Sequence, residues 1–341
     1  MRGLSVAKDR LENNLVRVAL AADGTFAGIY DKRAGREVLA GRGNQIWAYS
    51  DKPRNWDAWD IEDDYMRRGE EIAASEPHEI VEDGPHRAAV RVRRRFRNSA
   101  IVQTIRLWSN SARLEFKTEI DWHDRRTLVK ARFPLAIRSE LATFECAHGV
   151  VTRATHRNTS WEQARFEVPA HRFADLSEHG YGVALLNDGK YGHHALGNEL
   201  GLSLLRSPVY PDPLADEGEQ TFTYALYPHA GDWLSGGVLA EAEDLNRPLL
   251  AIPVKAEAAS LWRAVEVDGL QLGLSGFKAA EEGGSLILRT YEPAGARGLP
   301  RVALPKGWRI AEEVNLLEDT LGPADLAFTP FKLHSWRIVR S

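Results

Sequence analysis

The run from Leu114 to Trp122 constrains this chain more than any other. Leu114, Phe116, Thr118, Ile120 and Trp122 alternate without a break against Arg113, Glu115, Lys117, Glu119 and Asp121. Successive side chains on a strand point to opposite faces, so a strict period of two predicts a half-buried β-strand and excludes an amphipathic helix. Two more strands are expected just before it. In Ala88 to Phe96, apolar Ala88, Val90, Val92 and Phe96 alternate with Arg91, Arg93 and Arg95, and Arg94 breaks the apolar side. Ile101 to Trp108 follows as a second amphipathic strand. Three long antiparallel strands in succession predict a large sheet, one half of a sandwich.

The remaining chain reads the same way. Leu15 to Leu20 and Phe26 to Tyr30 form a hairpin across the Asp23-Gly24 turn signal. Further strands are expected at Lys130 to Ile137, Tyr181 to Leu186, Leu202 to Leu205 and Thr221 to Tyr227. Val238 to Leu245 reads as a helix with Val238, Leu239, Ala242 and Leu245 on one face, stopped by Asn246-Arg247-Pro248. Glu145 to Ala164 is polar and is expected to be a long irregular excursion, the kind of loop that contacts a partner or a ligand. Beyond about residue 253 the pattern changes to short hairpins: Leu270 to Ala279, Leu286 to Tyr291, Trp308 to Leu316 and Thr329 to Ile338. The fold class is therefore mainly β, with a large antiparallel sandwich over residues 1–252 and a smaller β-sandwich over 253–341.

Composition narrows the function. A net charge of -4 on 341 residues gives no electrostatic basis for binding nucleic acid or an anionic membrane, and the arginine row at Arg91 to Arg97 reads as a solvated sheet face beside acidic neighbours. Cys146 is the one cysteine, which excludes an intrachain disulfide and a thiolate metal cluster and suits a reducing, cytoplasmic setting. No apolar run approaches the ~20 residues of a membrane-spanning helix, and the start of the chain has no signal-peptide core. His193-His194 lie side by side, so on a strand they face opposite ways and cannot share one metal. With no His-x-x-x-His pair and no Cys/His spacing, no metal site is assigned to this chain. Nucleophile elbows, phosphate loops and dinucleotide fingerprints are missing too, so no catalytic residue is assigned.

One stretch stands apart from the strands. From Asn44 to Asp64 the chain interleaves Trp47, Trp56 and Trp59 with Asp51, Asp57, Asp60, Asp63 and Asp64, and Pro53 and Asn55 break any regular period, so a loop is expected here. Aromatic rings stack on the apolar faces of sugars and carboxylates accept hydrogen bonds from sugar hydroxyls, which suits a saccharide contact. The alternative is a surface loop pinned by buried rings. Asp57 and Asp60 are a carboxylate pair of the type glycosidases use, but their spacing does not show that they flank a bond.

Several runs in order resemble one family. Asp51-Lys52-Pro53-Arg54-Asn55-Trp56-Asp57-Ala58-Trp59-Asp60-Ile61 is similar to a loop in the C-terminal half of glycoside hydrolase family 38 α-mannosidases. The same half is resembled by His156-Arg157-Asn158-Thr159-Ser160-Trp161-Glu162 with Ala164-Arg165-Phe166-Glu167, and by Leu185-Leu186-Asn187-Asp188-Gly189-Lys190-Tyr191-Gly192. Further matches are Leu202 to Pro208 with Pro211-Asp212-Pro213, Phe222 to His229, Leu288-Arg289-Thr290-Tyr291-Glu292 and the opening hairpin at Tyr30 to Leu39. One departure is His194, where relatives tend to carry an acidic residue at or near that place.

The resemblance implies a β super-sandwich similar to that of galactose mutarotase, followed by a smaller β-sandwich. It also implies that the retaining chemistry of the family, with a zinc ion held by two aspartates and two histidines, resides on an N-terminal β/α barrel that nothing in residues 1–341 resembles. On this reading the chain is the C-terminal portion of an α-mannosidase, is inactive by itself, holds no cofactor, and has as partners a mannose-containing carbohydrate and the zinc-bearing barrel. The substrate-contacting residues implied are Trp56, Asp57, Trp59 and Asp60, with Asn187, Lys190, Tyr191, Arg289 and Tyr291. Two other functions remain open: a carbohydrate-binding module acting alone, and, by fold analogy, a mutarotase-type epimerase with a His/Glu pair converging in the cleft.

Overall fold

In the computed structural model, which describes residues 3–253 and 263–341, Leu114–Trp122 lies near the middle of a nine-stranded sheet. It pairs antiparallel with Ser99–Trp108 on one side and Gly218–Ala230 on the other. The sheet continues outward through Arg87–Phe96 and Glu79–Asp83 at one edge, and through Tyr181–Asn187, Phe173–Glu178, Leu141–Cys146 and Gly149–Ala154 at the other. A six-stranded sheet runs in the order Val168–Pro169, Gly192–Leu196, Glu199–Arg206, Thr127–Pro134, Gln45–Ser50 and Gly69–Glu71. The strand pairings described are antiparallel.

The two sheets face each other across one apolar core. Phe116 and Tyr224 of the larger sheet stack at 4.6 Å, and Phe133 of the smaller sheet meets Phe116 at 5.7 Å. A five-stranded meander from Leu4–Ala7 to Arg36–Glu37 closes onto the same core, with Phe26 at 5.5 Å from Phe116. Burying so many large rings in one layer supplies the main driving force for folding. The Leu114–Trp122 alternation appears as expected, with Leu114, Phe116, Thr118, Ile120 and Trp122 buried.

Arg94 interrupts the apolar side of its strand because its guanidinium is wanted inside. It is buried and donates to Gln103 Oε1 at 2.7 Å and to the Gly24 carbonyl at 2.7 Å. Gln103 in turn donates to the Tyr224 hydroxyl, and Tyr224 to Asn44. On the opposite face Arg91 and Arg93 reach Glu79 at 3.3 and 3.1 Å, the acidic neighbour that a solvated arginine row requires.

The described residues fall into two compact units. Those within Met1–Phe144 and Thr152–Pro248 form the larger; those within Glu145–Val151 and Leu249–Ser341 form the smaller. The smaller unit is a β-sandwich in which a five-stranded sheet, Gly273–Ala279, Leu286–Tyr291, Leu333–Arg340, Trp308–Val314 and Thr320–Gly322, packs around Leu288, Phe328, Trp336 and Ile338. Its second sheet pairs Glu266–Asp268 with Arg301–Ala303.

Two expectations are corrected. The stretch Asn44 to Asp64 is not loop throughout: Gln45–Ser50 is a strand of the six-stranded sheet, and Trp47 lies on it, stacked against Tyr49 at 5.8 Å. The irregular loop begins at Asp51. Glu145 to Ala164 is likewise partly regular, with strand Gly149–Ala154 and a short helix Ser160–Gln163. Thr159 caps that helix and Glu162 reaches back to the Thr159 amide, a reciprocal arrangement that stabilises even one turn. The expected helix at Val238 to Leu245 forms as Val238–Asn246, burying Val238, Leu239 and Ala242.

Candidate functional site

The loop that follows Ser50 leaves the sheet and returns at Gly69–Glu71. Its shape is set from below by Arg206, at the end of Glu199–Arg206. The guanidinium binds the Asp51 carboxylate and donates to three loop carbonyls: Asp57 at 2.6 Å, Ala58 at 3.3 Å and Asp60. Arginine has enough donors in one plane to serve several acceptors at once, which lysine lacks. Burial pushes the Asp51 carboxyl above its ordinary value, against the stabilising pull of Arg206.

Above this anchor the loop presents two indoles. Trp56 and Trp59 are each 67% exposed and meet edge to face at 6.4 Å. Trp56 has φ of 57°, a left-handed conformation uncommon for a bulky residue. Two large rings held in solvent on an anchored loop make an exposed apolar surface. The neighbouring carboxylates differ. Asp57 turns inward, accepting from the Val209 amide at 2.8 Å and lying 3.6 Å from Arg126. Asp60 is exposed and caps the Ile61 amide at 3.0 Å. The pair does not offer two free carboxylates facing a bond, so the geometry suits binding rather than bond cleavage.

Under the loop, the six-stranded sheet carries a ladder of charges, with Lys130 and His194 buried and Arg132, Glu167 and Glu199 half-buried. Lys130 stands opposite Trp47, and Arg132 opposite both Gln45 and Gly201. Lys130 Nζ donates to Glu167 Oε1 at 2.5 Å, and the Tyr65 hydroxyl donates to the same oxygen. His194 lies between Glu167, at 3.4 Å, and Glu199, at 2.9 Å, while Arg132 forks onto Glu199 with two contacts of 2.8 Å. Burial alone would raise both carboxyls. Lys130 and His194 beside Glu167, and His194 and Arg132 beside Glu199, outweigh it and hold each at about 2. On the opposite strand face His193 is buried with Nδ1 3.3 Å from the Tyr191 carbonyl, and burial lowers it to about 4.

A histidine converging with two glutamates is what an epimerase reading requires. Here His194 is 1% exposed, and its glutamates are already engaged by Lys130 and Arg132, so the cluster is closed to a sugar. Its link to the loop segment is the Tyr65 hydroxyl on Glu167. The His194 ring lies over Gly201, where a Cβ would come within 2.0 Å of it.

The other expected residues fall in two places. Asn187, Lys190 and Tyr191 come together at the turn after Tyr181–Asn187. Asn187 is buried and shapes the turn: its Oδ1 accepts from the amides of Gly189 and Lys190, and its Nδ2 donates to the His171 carbonyl. Lys190 reaches Gln220 at 3.2 Å and lies over Phe222; burial lowers its ammonium. Tyr191 is 54% exposed. Arg289 and Tyr291 belong to the smaller unit, where Arg289 donates to Ser335 at 2.8 Å and Tyr291 is buried against His148. Arg206, Tyr65, Lys130 and Glu167 were not singled out from sequence. The available signal was two cations, Lys130 and Arg132, at a spacing of two in an otherwise apolar strand.

Among the described residues no group of three or more His, Cys, Asp or Glu side chains could hold a metal ion. The donor set for the zinc that the family implies is therefore not formed by them. No described helix is long and apolar enough to cross a membrane.

Comparison with known proteins agrees with this architecture. Residues 11–214 match the glycosyl hydrolases family 38 C-terminal domain, and residues 271–339 match the glycosyl hydrolases family 38 C-terminal beta sandwich domain. Human alpha-mannosidase 2C1 is 41% identical over 294 residues, covering 84% of this chain and 28% of the relative. Alpha-mannosidase G of Dictyostelium discoideum is 33% identical over 351 residues, covering 96% of this chain and 32% of the relative. The chain thus spans about a third or less of those relatives' length. An α-mannosidase structure from Enterococcus faecalis V583 superposes with a TM-score of 0.80 at 17% identity, over 98% of this chain and 42% of that one. That likeness fixes the fold, and the matched domains fix the lineage: this chain belongs to glycoside hydrolase family 38, of which it carries the C-terminal domains.

Proposed function

We propose that this chain is the saccharide-positioning part of an α-mannosidase, acting with a zinc-bearing catalytic barrel rather than alone. The observation that carries the reading is the pair of exposed indoles, Trp56 and Trp59, set 6.4 Å apart on a loop that Arg206 anchors at four points. Relatives sharing a third or more of its residues bear the name alpha-mannosidase, which supports mannose-containing carbohydrate as the ligand. Stacking a pyranose on an indole and hydrogen-bonding it to Asp60 would fix the sugar's orientation, and a fixed reacting bond is worth several powers of ten in rate. Lys190 and Tyr191 at the Asn187 turn, and Arg289 and Tyr291 in the smaller unit, are further candidates for sugar contact. A cytoplasmic setting accords with the single, exposed, free Cys146.

Titration with methyl α-mannoside and manno-oligosaccharides tests this reading. Saturable binding is expected, weakened about tenfold by Trp56→Ala or Trp59→Ala if each ring contributes as much as an aromatic ring stacked on a nucleobase, about 1–3 kcal/mol. No binding by the wild type would end it.

A further inference from the structure

A second site lies at one end of the large sandwich. There Gln45–Ser50, Gly69–Glu71 and the start of Thr127–Pro134 meet the turn after Arg87–Phe96, enclosing a cleft of about 520 Å³. Six cations line it: Lys52, Arg67, Arg68, Arg97, Arg125 and Arg126, with Glu70 as the one lining carboxylate. Four of the arginines have a carboxylate nearby: Arg97 with Glu70 at 3.1 Å, Arg68 with Asp64 at 2.7 Å, Arg125 with Glu217 at 3.5 Å and Arg126 with Asp57 at 3.6 Å. Lys52 and Arg67 have none within ion-pair distance among the described residues, so the cleft keeps a surplus of positive charge in a protein whose net charge is -4.

The backbone gives a second indication. Arg97 and Arg126 adopt left-handed conformations, with φ of 49° and 51°. An L side chain there costs about 1 kcal/mol or more, and asparagine or glycine would sit more easily. Strain of this kind at two arginines of one cleft suggests that their guanidinium groups matter there.

We infer that this cleft binds the phosphate of a phosphomonoester-bearing sugar. Guanidinium groups recognise phosphate through paired N–H donors, and a dianionic phosphomonoester answers the two uncompensated cations. The volume lies within the range of small-ligand sites, and Phe96 and Ala48 give the walls an apolar portion. Lys52 is also the second residue of the tryptophan loop, which places the cleft beside the proposed sugar platform. The anion site rests on that reading only for the sugar half of the ligand.

Calorimetric titration with mannose 6-phosphate, mannose and inorganic phosphate tests it, each at about 0.02 M and about 0.2 M salt. Mannose 6-phosphate is expected to bind at least tenfold more tightly than either other probe and to weaken at the higher salt. Lys52→Gln with Arg67→Gln, and separately Arg97→Asn, are expected to reduce that affinity about tenfold. Arg97→Asn relieves its backbone, so its melting temperature should be equal or higher, which separates lost binding from lost fold. Absence of saturable mannose 6-phosphate binding, or binding unchanged in both variants, would overturn the inference, as would equal affinity for inorganic phosphate. If mannose binds as well as its phosphate, the anion site fails while the sugar platform stands. If mannose 6-phosphate binds with the expected preference and Trp56→Ala and Trp59→Ala change nothing, the platform fails while the anion site stands.

Discussion

The Asp51 carboxylate holds Arg206 across the base of the tryptophan loop, and the same guanidinium gathers the carbonyls of Asp57, Ala58 and Asp60. Asp51 is 3% exposed and belongs to the first turn out of the sheet, whereas Arg206 ends a strand distant in sequence. One side chain thus ties an irregular segment to the sheet at four points, beside the Asp57 contact to the Val209 amide. Loops positioned by a rigid scaffold are where binding residues collect.

Removing this anchor should affect the loop more than the sandwich. Arg206→Ala leaves the buried Asp51 carboxylate unpaired and should destabilise the protein by about 3 kcal/mol. Arg206→Lys keeps the charge but cannot serve four acceptors, so it should restore part of the stability without restoring loop order. Denaturant unfolding reads the first effect. Amide exchange over Asp51 to Asp60 reads the second, and protection there equal to wild type in Arg206→Lys would contradict the anchoring role.

Gly201 is required by the ring above it. A Cβ at this position would lie 2.0 Å from His194 Cε1 and 2.5 Å from Nδ1. Gly201→Ala must therefore displace the imidazole from Glu199 and Glu167, costing about 1–3 kcal/mol as overpacking. Gly180→Ala is a useful contrast: its φ of +78° strains the backbone, but nothing lies within 4 Å of its Cβ. The first variant should disturb the His194 imidazole resonances and the second should leave them in place.

The framework was legible from sequence for a simple reason. Leu114–Trp122 and the helix at Val238 each have one dominant buried face, and a period in hydrophobicity records that directly. The misreadings arose where burial did not follow polarity. Pro53, Asn55 and the aspartates break the period of the stretch that begins at Asn44 and announce a loop, yet within it Gln45–Ser50 is a strand on which Trp47 and Tyr49 stack on each other. Lys130 and Arg94 are fully buried cations in strands, and only their partners, from Glu167 to the Gly24 carbonyl, explain them. Such partners are far away in sequence, so no local pattern announces them. Arg206 was invisible for the same reason, and so was the role of Asn187 in shaping a turn.

Acid should unfold the larger unit in two steps of protonation. His193 is lowered to about 4, so its neutral form belongs to the native state. A lowered pKa contributes stability above the unfolded value, near 6.5, that is lost as pH falls toward 4. Glu167 and Glu199, each held at about 2, contribute stability above their unfolded value, near 4.5, that is lost as pH falls toward 2. Stability measured from pH 7 downward should therefore decline first through the histidine window and then through the carboxylate window. His193→Asn should flatten the upper part and Glu199→Gln the lower. A slope unaltered by either substitution would count against these assignments.

The Lys130–Glu167 pair offers the sharpest energetic test. Lys130 is fully buried, and burial lowers its ammonium while Glu167 opposes that shift. Glu167→Gln removes the balancing charge from a site that water does not reach, so a loss of about 3–5 kcal/mol is expected. Lys130→Met removes the other partner and leaves Glu167 with only His194 and the Tyr65 hydroxyl, which should also be destabilising. The double variant Lys130→Met with Glu167→Gln leaves no buried charge unpaired, and replacing buried ion pairs by neutral groups of similar volume is often close to neutral. Its stability should therefore exceed that of the Glu167→Gln single variant. The double-mutant cycle should give a coupling of about 2 kcal/mol or more, as contacting charges do. Additive effects of the two substitutions, measured by denaturant unfolding, would show that the ladder beneath the tryptophan loop does not act as one unit.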